Sequence, residues 1–203
     1  MRAGILIDKI FRRGFAVILY SLLYLFFYCA VSSPLFAEDS GDASSGEWLT
    51  IESNYFTVYC RPDANLKKIE KKLRRRRFYT DGAFRVDPLS APAEKLADRL
   101  DILFNRVKKL LEMYPRTKNV KIKIFKDRKE LDDEYYRIFR KKDGYISFYI
   151  HKYKTIYTTE RDISDSVIAH EMGHVITDHY FVVKLPGKIG ELMATYVDLH
   201  LDD

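Results

Sequence analysis

The stretch HEMGHVITDHY, residues 170–180, decides how this sequence of 203 residues is interpreted. On a helix each residue advances by about 100°, so His170 and His174 are only about 40° apart and their imidazoles can reach one ion. Glu171 lies about 60° beyond His174, close enough to hold a water molecule on that ion without being a ligand. Zinc chemistry needs this combination of neutral imidazoles, an open coordination position and a carboxylate that accepts the proton of the water.

The alternative is that the two histidines are ordinary residues of a core or of a solvent-facing helix. Helical periodicity argues against a core position, because with His170 at 0° the buried side is expected between about 140° and 200°. The residues on that side are Ile168, Met172, Val175 and His179. We therefore expect the helix to bury one side and to present His170, Glu171 and His174 on the other.

A zinc site with an open position usually has three protein ligands, and Glu191 is the candidate for the third. It follows His174 by 17 residues, on a helix predicted to begin after Pro186. The apolar stripe of that helix is centred about 170° from Glu191, and its members are Ile189, Leu192, Met193, Tyr196 and Val197. Two helices that pack side by side could then direct all three ligands to one point. Otherwise Glu191 is a plain surface carboxylate.

Together these residues resemble the gluzincin metallopeptidases, and HEMGHVITDHY is similar to the active-site helix of thermolysin-like enzymes. The nearer resemblance is to the bacterial peptidase MA-like family, whose members are typically exported. PGKIGELMATY, residues 186–196, resembles the closing segment of that family at Pro186, Glu191, Ala194 and Tyr196. WLTIESNYFTVYC, residues 48–60, resembles its opening strand. Leu192 departs from the family, which tends to have glycine after the glutamate.

The resemblance implies an α+β fold of the zincin-like type. In this fold a small mixed sheet has an antiparallel edge strand packed on the active-site helix, and a glutamate helix follows. It implies Zn²⁺ as the cofactor, with His170, His174 and Glu191 as ligands and Glu171 as the general base. A further residue is expected to orient a ligand through a hydrogen bond. The candidates for that role are Asp178, Thr195 and Asp198.

The resemblance also implies a peptide or protein substrate that binds as an extended strand along the sheet edge. The strand KTIYTT, residues 154–159, is expected to be that edge because it immediately precedes the histidine helix. Thermolysin-like enzymes take a transition-state donor from a second domain after the glutamate helix, whereas this sequence ends at Asp203. The donor is therefore sought closer to the site, and the candidates are Tyr157, Tyr180, Tyr196 and His200.

The predicted function is that of an exported zinc metallopeptidase. The main alternative is a catalytically weak zinc-binding or interaction module on the same fold. A third hypothesis is a protein that binds membrane surfaces through Arg74–Arg77, since a basic cluster attracts anionic headgroups. The simpler interpretation of the four arginines is a solvated helix end.

Residues 1–37 have the layout of a secretory signal peptide or an N-terminal membrane anchor, with a basic start, an apolar run at 15–31 and Ala37 as a cleavage position. A buried core helix is the remaining alternative. Export predicts an extracytoplasmic location, with membrane association through the apolar segment, and makes nucleic acid a poor partner. This segment carries half of the formal net charge of +6. Residues 38–47 have linker composition, and residues 48–203 form the predicted peptidase domain.

The remaining periodicity predicts an α+β class. Strands are expected around 55–60, 120–126, 144–150 and 154–159, and helices over 63–73, 92–114, 128–140, 162–180 and 187–201. The connection between the last two strands is too short for a helical crossover, so that pair should be antiparallel. Cys60 is the only cysteine after residue 37, so an internal disulfide is excluded there.

Overall fold

The computed structural model describes residues 47–73, 86–87, 89–117 and 119–202. The predicted targeting segment, residues 38–46 of the predicted linker and Arg74–Arg77 lie outside the described residues. Among the residues described, no helix combines the length and apolarity needed to cross a bilayer.

Five strands of the described chain form one mixed sheet, as the α+β prediction requires. The strands are β1 (Leu49–Glu52), β2 (Phe56–Cys60), β3 (Val120–Phe125), β4 (Ser147–Ile150) and β5 (Thr155–Thr159), and their order is β1-β2-β3-β5-β4. The three central strands β2, β3 and β5 are parallel, whereas β1 pairs antiparallel with β2 and β4 pairs antiparallel with β5. The antiparallel pairing predicted for the last two strands is thus confirmed.

The edge predicted from the sequence is wrong. KTIYTT contains β5, which lies between β3 and β4, so its backbone pairs on both sides. All five residues of β5 are buried, as expected for an inner strand. The sheet edge beside the histidine helix is instead β4, one strand earlier in the sequence, and the opposite edge is β1. The chain turns back through a short 3-10 helix, His151–Tyr153, and inserts β5 between β4 and β3.

Five α-helices are seen in the described part of the chain. They are α1 (Leu66–Lys72), α2 (Pro92–Leu111), α3 (Arg128–Phe139), α4 (Asp165–Tyr180) and α5 (Gly187–His200). Local signals set their starts: Pro92 occupies the first turn of α2, where a missing N–H costs nothing, and the Ser164 side chain caps α4 by accepting from the Val167 N–H. The histidine helix therefore begins at residue 165, three residues later than predicted.

Alternation along the strands divides the apolar residues between the two faces of the sheet. On one face, Ile122 and Ile156 join the main core with α2 and α4, to which Leu100 and Ile168 contribute fully buried side chains. On the other face, a smaller cluster packs beneath α3 and contains Phe125, Leu131 and Tyr157. The histidine helix therefore lies on the larger core, and β4 borders it.

The predicted buried face of α5 is only partly correct. Val197 is fully buried and Met193 packs on the main core, but Ile189, Leu192 and Tyr196 are 43%, 64% and 44% exposed. The helix has apolar residues on two sides, and the side carrying the small residue Ala194 is the one that packs against α4, because it allows close approach. A second apolar face remains exposed, formed by Ile189, Leu192, Tyr196 and Leu199.

Candidate metal centre

Helices α4 and α5 bring His170, His174 and Glu191 together. The Glu191 carboxylate places one oxygen 3.6 Å from His170 Nε2 and the other 3.5 Å from His174 Nε2. One ligand atom from each of the three side chains lies within 4.8 Å of the others. The two imidazoles are nearly perpendicular, with ring centroids 5.0 Å apart. The convergence expected from the sequence is therefore seen in the structure.

The close approach of α4 and α5 depends on Gly173, which follows the glutamate and methionine of the motif. A β-carbon at Gly173 would lie 3.1 Å from the Ala194 α-carbon, tighter than the helices could accept without moving. Gly190 has a related role, because it faces the His174 ring with the nearest ring atom 3.6 Å from where a β-carbon would be. Small residues at the contact thus set the distance at which Glu191 meets the histidines.

The donor set and its spacing fit zinc. Nitrogen and oxygen ligands bind zinc at about 2.0–2.1 Å, so neighbouring ligand atoms of a tetrahedron are about 3.3 Å apart. The nitrogen–oxygen distances of 3.5 and 3.6 Å are close to that spacing. Three protein ligands would leave the fourth position open, which is the arrangement of catalytic zinc sites.

His174 is poised to be a neutral ligand. Its pKa is lowered, mainly because burial disfavours the charged imidazolium and also because of His170, although the Glu191 carboxylate acts in the opposite direction. A metal ion binds only the neutral imidazole, so a lowered pKa removes competition from protons at neutral pH. The environment of His174 therefore favours metal binding.

Glu171 is buried beside the free edge strand and is only 6% exposed. Burial raises its pKa to about 8, helped by the negative charge of Glu191, whereas hydrogen bonds from the Ser147 hydroxyl and the Tyr149 backbone N–H act to lower it. The Ser147 hydroxyl also lies 2.9 Å from the Tyr157 carbonyl, and its single proton serves one acceptor at a time. Without a metal ion, Glu171 is therefore largely protonated at neutral pH, and a cation bound nearby would favour its carboxylate form.

A cavity of about 390 Å³ opens in front of these residues. Its lining includes all three ligand candidates, Glu171 and the free edge strand β4. The far wall comes from the connection between α4 and α5, through Lys184 and Leu185. The cavity therefore joins the metal candidates to an unpaired strand edge, so an extended chain lying along β4 would pass the ligands.

Asp178, one turn after His174, is the best placed of the three residues proposed to orient a ligand. It lines the cavity, and its carboxylate accepts a hydrogen bond from His151 Nδ1. Burial, and then the negative charge of Asp178, raise the pKa of the Tyr149 hydroxyl. Asp178 thus ties the end of the edge strand to the histidine helix.

The other two candidates for that role lie elsewhere. Asp198 accepts a hydrogen bond from the Ser166 hydroxyl, which joins α5 to the start of α4. Thr195 is exposed on α5. Neither lines the cavity. Their environments are those of helix-packing and surface residues.

The structure does not bring the four predicted transition-state donors to the cavity. Tyr157 lies on the opposite face of the sheet, stacked between Phe125 and Phe148. Tyr180 is half exposed at the end of α4, and Tyr196 stacks on His200 along α5. None of the four lines the cavity. These side chains point away because β5 is an inner strand and α5 turns its second apolar face to solvent.

Tyr149 and His151 are among the cavity residues that were not singled out in the sequence. Both belong to the segment around β4, whereas KTIYTT was predicted to be the edge. The aromatic residues of SFYI and the histidine that follows are compatible with an edge next to a site, but they do not distinguish an edge strand from an inner one. His151 is 27 residues from its partner Asp178, so their contact has no local periodicity.

Comparison with known proteins identifies no relative of this chain. The chain matches no protein-family model, and no curated protein or solved structure matches it either. Function is therefore inferred from the residues of the site.

Proposed function

We propose that the chain is a zinc-dependent peptidase of the zincin-like, gluzincin type. His170, His174 and Glu191 would hold the metal, and Glu171 would act as the general base. A zinc ion bound there supplies Lewis-acid chemistry, because it polarises a carbonyl and makes a water molecule more acidic. The observation that carries the proposal is the arrival of the Glu191 carboxylate 3.5 and 3.6 Å from the two imidazoles.

Glu171 supports the proposal through its burial and its neighbours. A carboxylate that takes a proton from water must be basic enough to hold it and must then release it to the leaving nitrogen. Burial raises the pKa of Glu171 to about 8 in the metal-free protein. A dication bound beside it would favour the carboxylate, which accepts the proton of water and can later release it. The backbone N–H of Tyr149 fixes the carboxyl group against the edge strand, which is where a substrate carbonyl would lie.

The edge strand β4 supplies the means of holding a substrate. A peptide added beside β4 would form main-chain hydrogen bonds with it, as in other cases of strand addition. Main-chain hydrogen bonds recognise any extended peptide, so they position the scissile bond without selecting a sequence. The resemblance of the sequence to exported peptidases extends the proposal to an extracytoplasmic protein that is directed there by residues 1–37.

Metal analysis and peptide cleavage test this function in the full chain. Purified protein should contain about one zinc ion per chain and should cleave members of a peptide library, and a chelator should abolish cleavage. The decisive variant is Glu171→Gln, which should keep its zinc and lose hydrolysis. Glu47→Gln makes the same chemical change at an exposed position outside the site and should behave as the wild type. Zinc-free protein, or full activity in Glu171→Gln, would contradict the proposal.

One observation favours a second function, that of a zinc-binding interaction module. The exposed face of α5 presents Ile189, Leu192, Tyr196 and Leu199 on the helix that also carries Glu191. A contiguous apolar face on a surface helix is typical of sites that bind other proteins. Under this function Glu171→Gln would change nothing, whereas Leu192→Ser would weaken association with a partner.

A further inference from the structure

The cavity does not end at the candidate metal ligands. It continues around the free edge of β4 to a group of aromatic rings. These rings, which we call the aromatic wall, belong to Tyr135, Phe139, Tyr145 and Phe148. Tyr135 and Phe139 lie on α3, Phe148 lies on β4, and Tyr145 lies in the loop between them. The wall therefore lines the same cavity as the ligands, on the opposite face of the sheet.

The rings of the aromatic wall contact one another. The Tyr135 centroid lies 4.6 Å from that of Phe139, 5.4 Å from Tyr145 and 5.1 Å from Phe148. Tyr135 is buried at the base, whereas Phe139 is 42% and Tyr145 is 49% exposed. Two large rings thus stand half in solvent on a buried aromatic base, and an apolar side chain placed between them would remove both from water.

The loop that carries Tyr145 is fixed by hydrogen bonds. Arg128 donates to the Gly144 carbonyl at 3.0 Å and to the Tyr145 carbonyl at 2.8 Å. The Tyr135 hydroxyl donates to Asp143, 3.3 Å away. Arg128 is itself held by Asp162, at 3.3 Å. The half-exposed rings are therefore preorganised, which lowers the entropy cost of binding a ligand between them.

Side chains alternate between the two faces of β4, and this alternation relates the aromatic wall to the candidate metal ligands. Tyr149 packs with the main core on the side of α4, whereas its neighbour Phe148 packs with the cluster beneath α3. A peptide added to the edge of β4 would alternate in the same way, because successive side chains of a strand point to opposite faces. Every second side chain of the peptide would then be directed to the aromatic wall.

We propose that the aromatic wall is a specificity subsite that binds a large apolar or aromatic side chain of an extended peptide lying along β4. Phe139 and Tyr145 are the specificity-determining residues, and the peptide positions they select alternate with positions directed towards α4. This inference rests on the proposed function only in taking the peptide to be the substrate. It names the substrate class as extended peptides with aromatic or large aliphatic residues near the scissile bond.

Binding measured without turnover tests the subsite. Fluorescently labelled heptapeptides that carry Phe at one position and Ala at the others, with an all-Ala peptide as reference, are titrated into zinc-loaded Glu171→Gln and into metal-free wild-type protein. We expect Phe at the selected positions to improve affinity at least about tenfold over Ala, and Phe at the alternate positions to have a smaller effect. Equal affinity at all positions would overturn the inference.

Single substitutions distinguish specific binding at the aromatic wall from nonspecific hydrophobic binding. Phe139→Ala and Tyr145→Ala should each remove most of the tenfold preference while circular dichroism shows the fold unchanged. Tyr136→Ala is the matched control, since Tyr136 lies on the same helix, is 46% exposed and does not line the cavity. A preference that survives both wall variants, or that is lost equally in the control, would overturn the inference.

The same peptides distinguish this inference from the proposed function. A position-dependent preference for Phe in binding, with no cleavage by zinc-loaded wild-type protein, would support the subsite and contradict the peptidase. Cleavage of peptides without any preference for Phe or other large apolar residues would support the peptidase and overturn the subsite.

Discussion

Gly173 lies directly against Ala194, so close that a β-carbon on the glycine would come within 3.1 Å of the alanine α-carbon. This contact sets the separation of α4 and α5 and, through it, the distance from Glu191 to the histidines. The position of Glu191, the third candidate ligand, thus depends on a residue without a side chain, one place before His174.

Gly173→Ala should therefore weaken zinc binding and lower stability, although residue 173 contacts none of the candidate ligand atoms. Overpacking a helix contact typically costs about 1–3 kcal/mol of folding free energy, and displacing Glu191 should weaken zinc binding about tenfold or more. Gly187→Ala is the control, because no atom lies within 4 Å of its added β-carbon. Competition with a zinc-binding dye gives the affinity. Unchanged affinity in Gly173→Ala would show that the contact does not position Glu191.

The metal-free protein should lose stability as the pH rises from about 4.5 to about 8. Burial raises the pKa of Glu171 to about 8, above the value of 4.5 it has without burial. In that interval the unfolded chain loses the proton while the folded chain keeps it, so the free energy of unfolding falls with pH. Thermal unfolding with a chelator should show a steeper decline for the wild type than for Glu171→Gln, which has nothing to titrate. If the stability of the wild type and that of Glu171→Gln changed equally with pH, the raised pKa of Glu171 would be contradicted.

His151→Ala should lower kcat and leave zinc affinity unchanged. His151 lines the cavity, and its imidazolium form, with Nδ1–H held by the Asp178 carboxylate, would carry a second N–H on Nε2 that can donate to a substrate. Loss of such a donor typically costs about a hundredfold or more in kcat. His200→Ala removes a histidine of α5 outside the cavity and should be nearly silent. Equal effects of the two variants in steady-state kinetics would exclude this role for His151.

Cys60 should be unreactive in the folded protein. It is fully buried, and burial together with the nearby charge of Glu160 raises the pKa of its thiol to about 11. At neutral pH the reactive thiolate is then scarce, and reagents cannot reach it. In a Cys29→Ser background, iodoacetamide should modify Cys60 only after a denaturant unfolds the chain. Rapid modification of the native protein would contradict the buried position.

Two substitutions on α5 test which side of that helix packs. Val197→Ala should cost about 2 kcal/mol, because its side chain is fully buried. Leu192→Ser should change the free energy of unfolding by less than about 0.5 kcal/mol, as is usual for surface positions, since Leu192 is 64% exposed. Urea unfolding of both variants gives the comparison. A larger loss for Leu192→Ser than for Val197→Ala would reverse the packing described here.

Features set by local spacing could be predicted from the sequence. The i and i+4 separation of His170 and His174, the helix of residues 92–111 and the strand at 120–125 all follow from periodicity within one element. The meeting of Glu191 with the histidines was also predictable, because the two helices are consecutive and each has a polar side.

Features set by non-local pairing could not be predicted. Both KTIYTT and SFYI have the composition of strands, and nothing within either segment tells which pairs with β3. The buried side of α5 depends on the Gly173–Ala194 contact between two helices, which periodicity on one helix does not reveal. The sequence therefore predicted that His170, His174 and Glu191 meet, and it misplaced the strand edge.

The metal candidates all come from one short region near the end of the chain, since His170 and Glu191 are 21 residues apart. Packing of α4 on α5 already closes the loop between them. A metal ion that links the two helices would therefore add little folding stability through loop closure. The main core, with Phe56, Leu100 and Ile122, is built from other elements. Removal of the proposed metal should therefore abolish the proposed activity and leave the protein folded, and adding the metal back should restore activity to the same molecules.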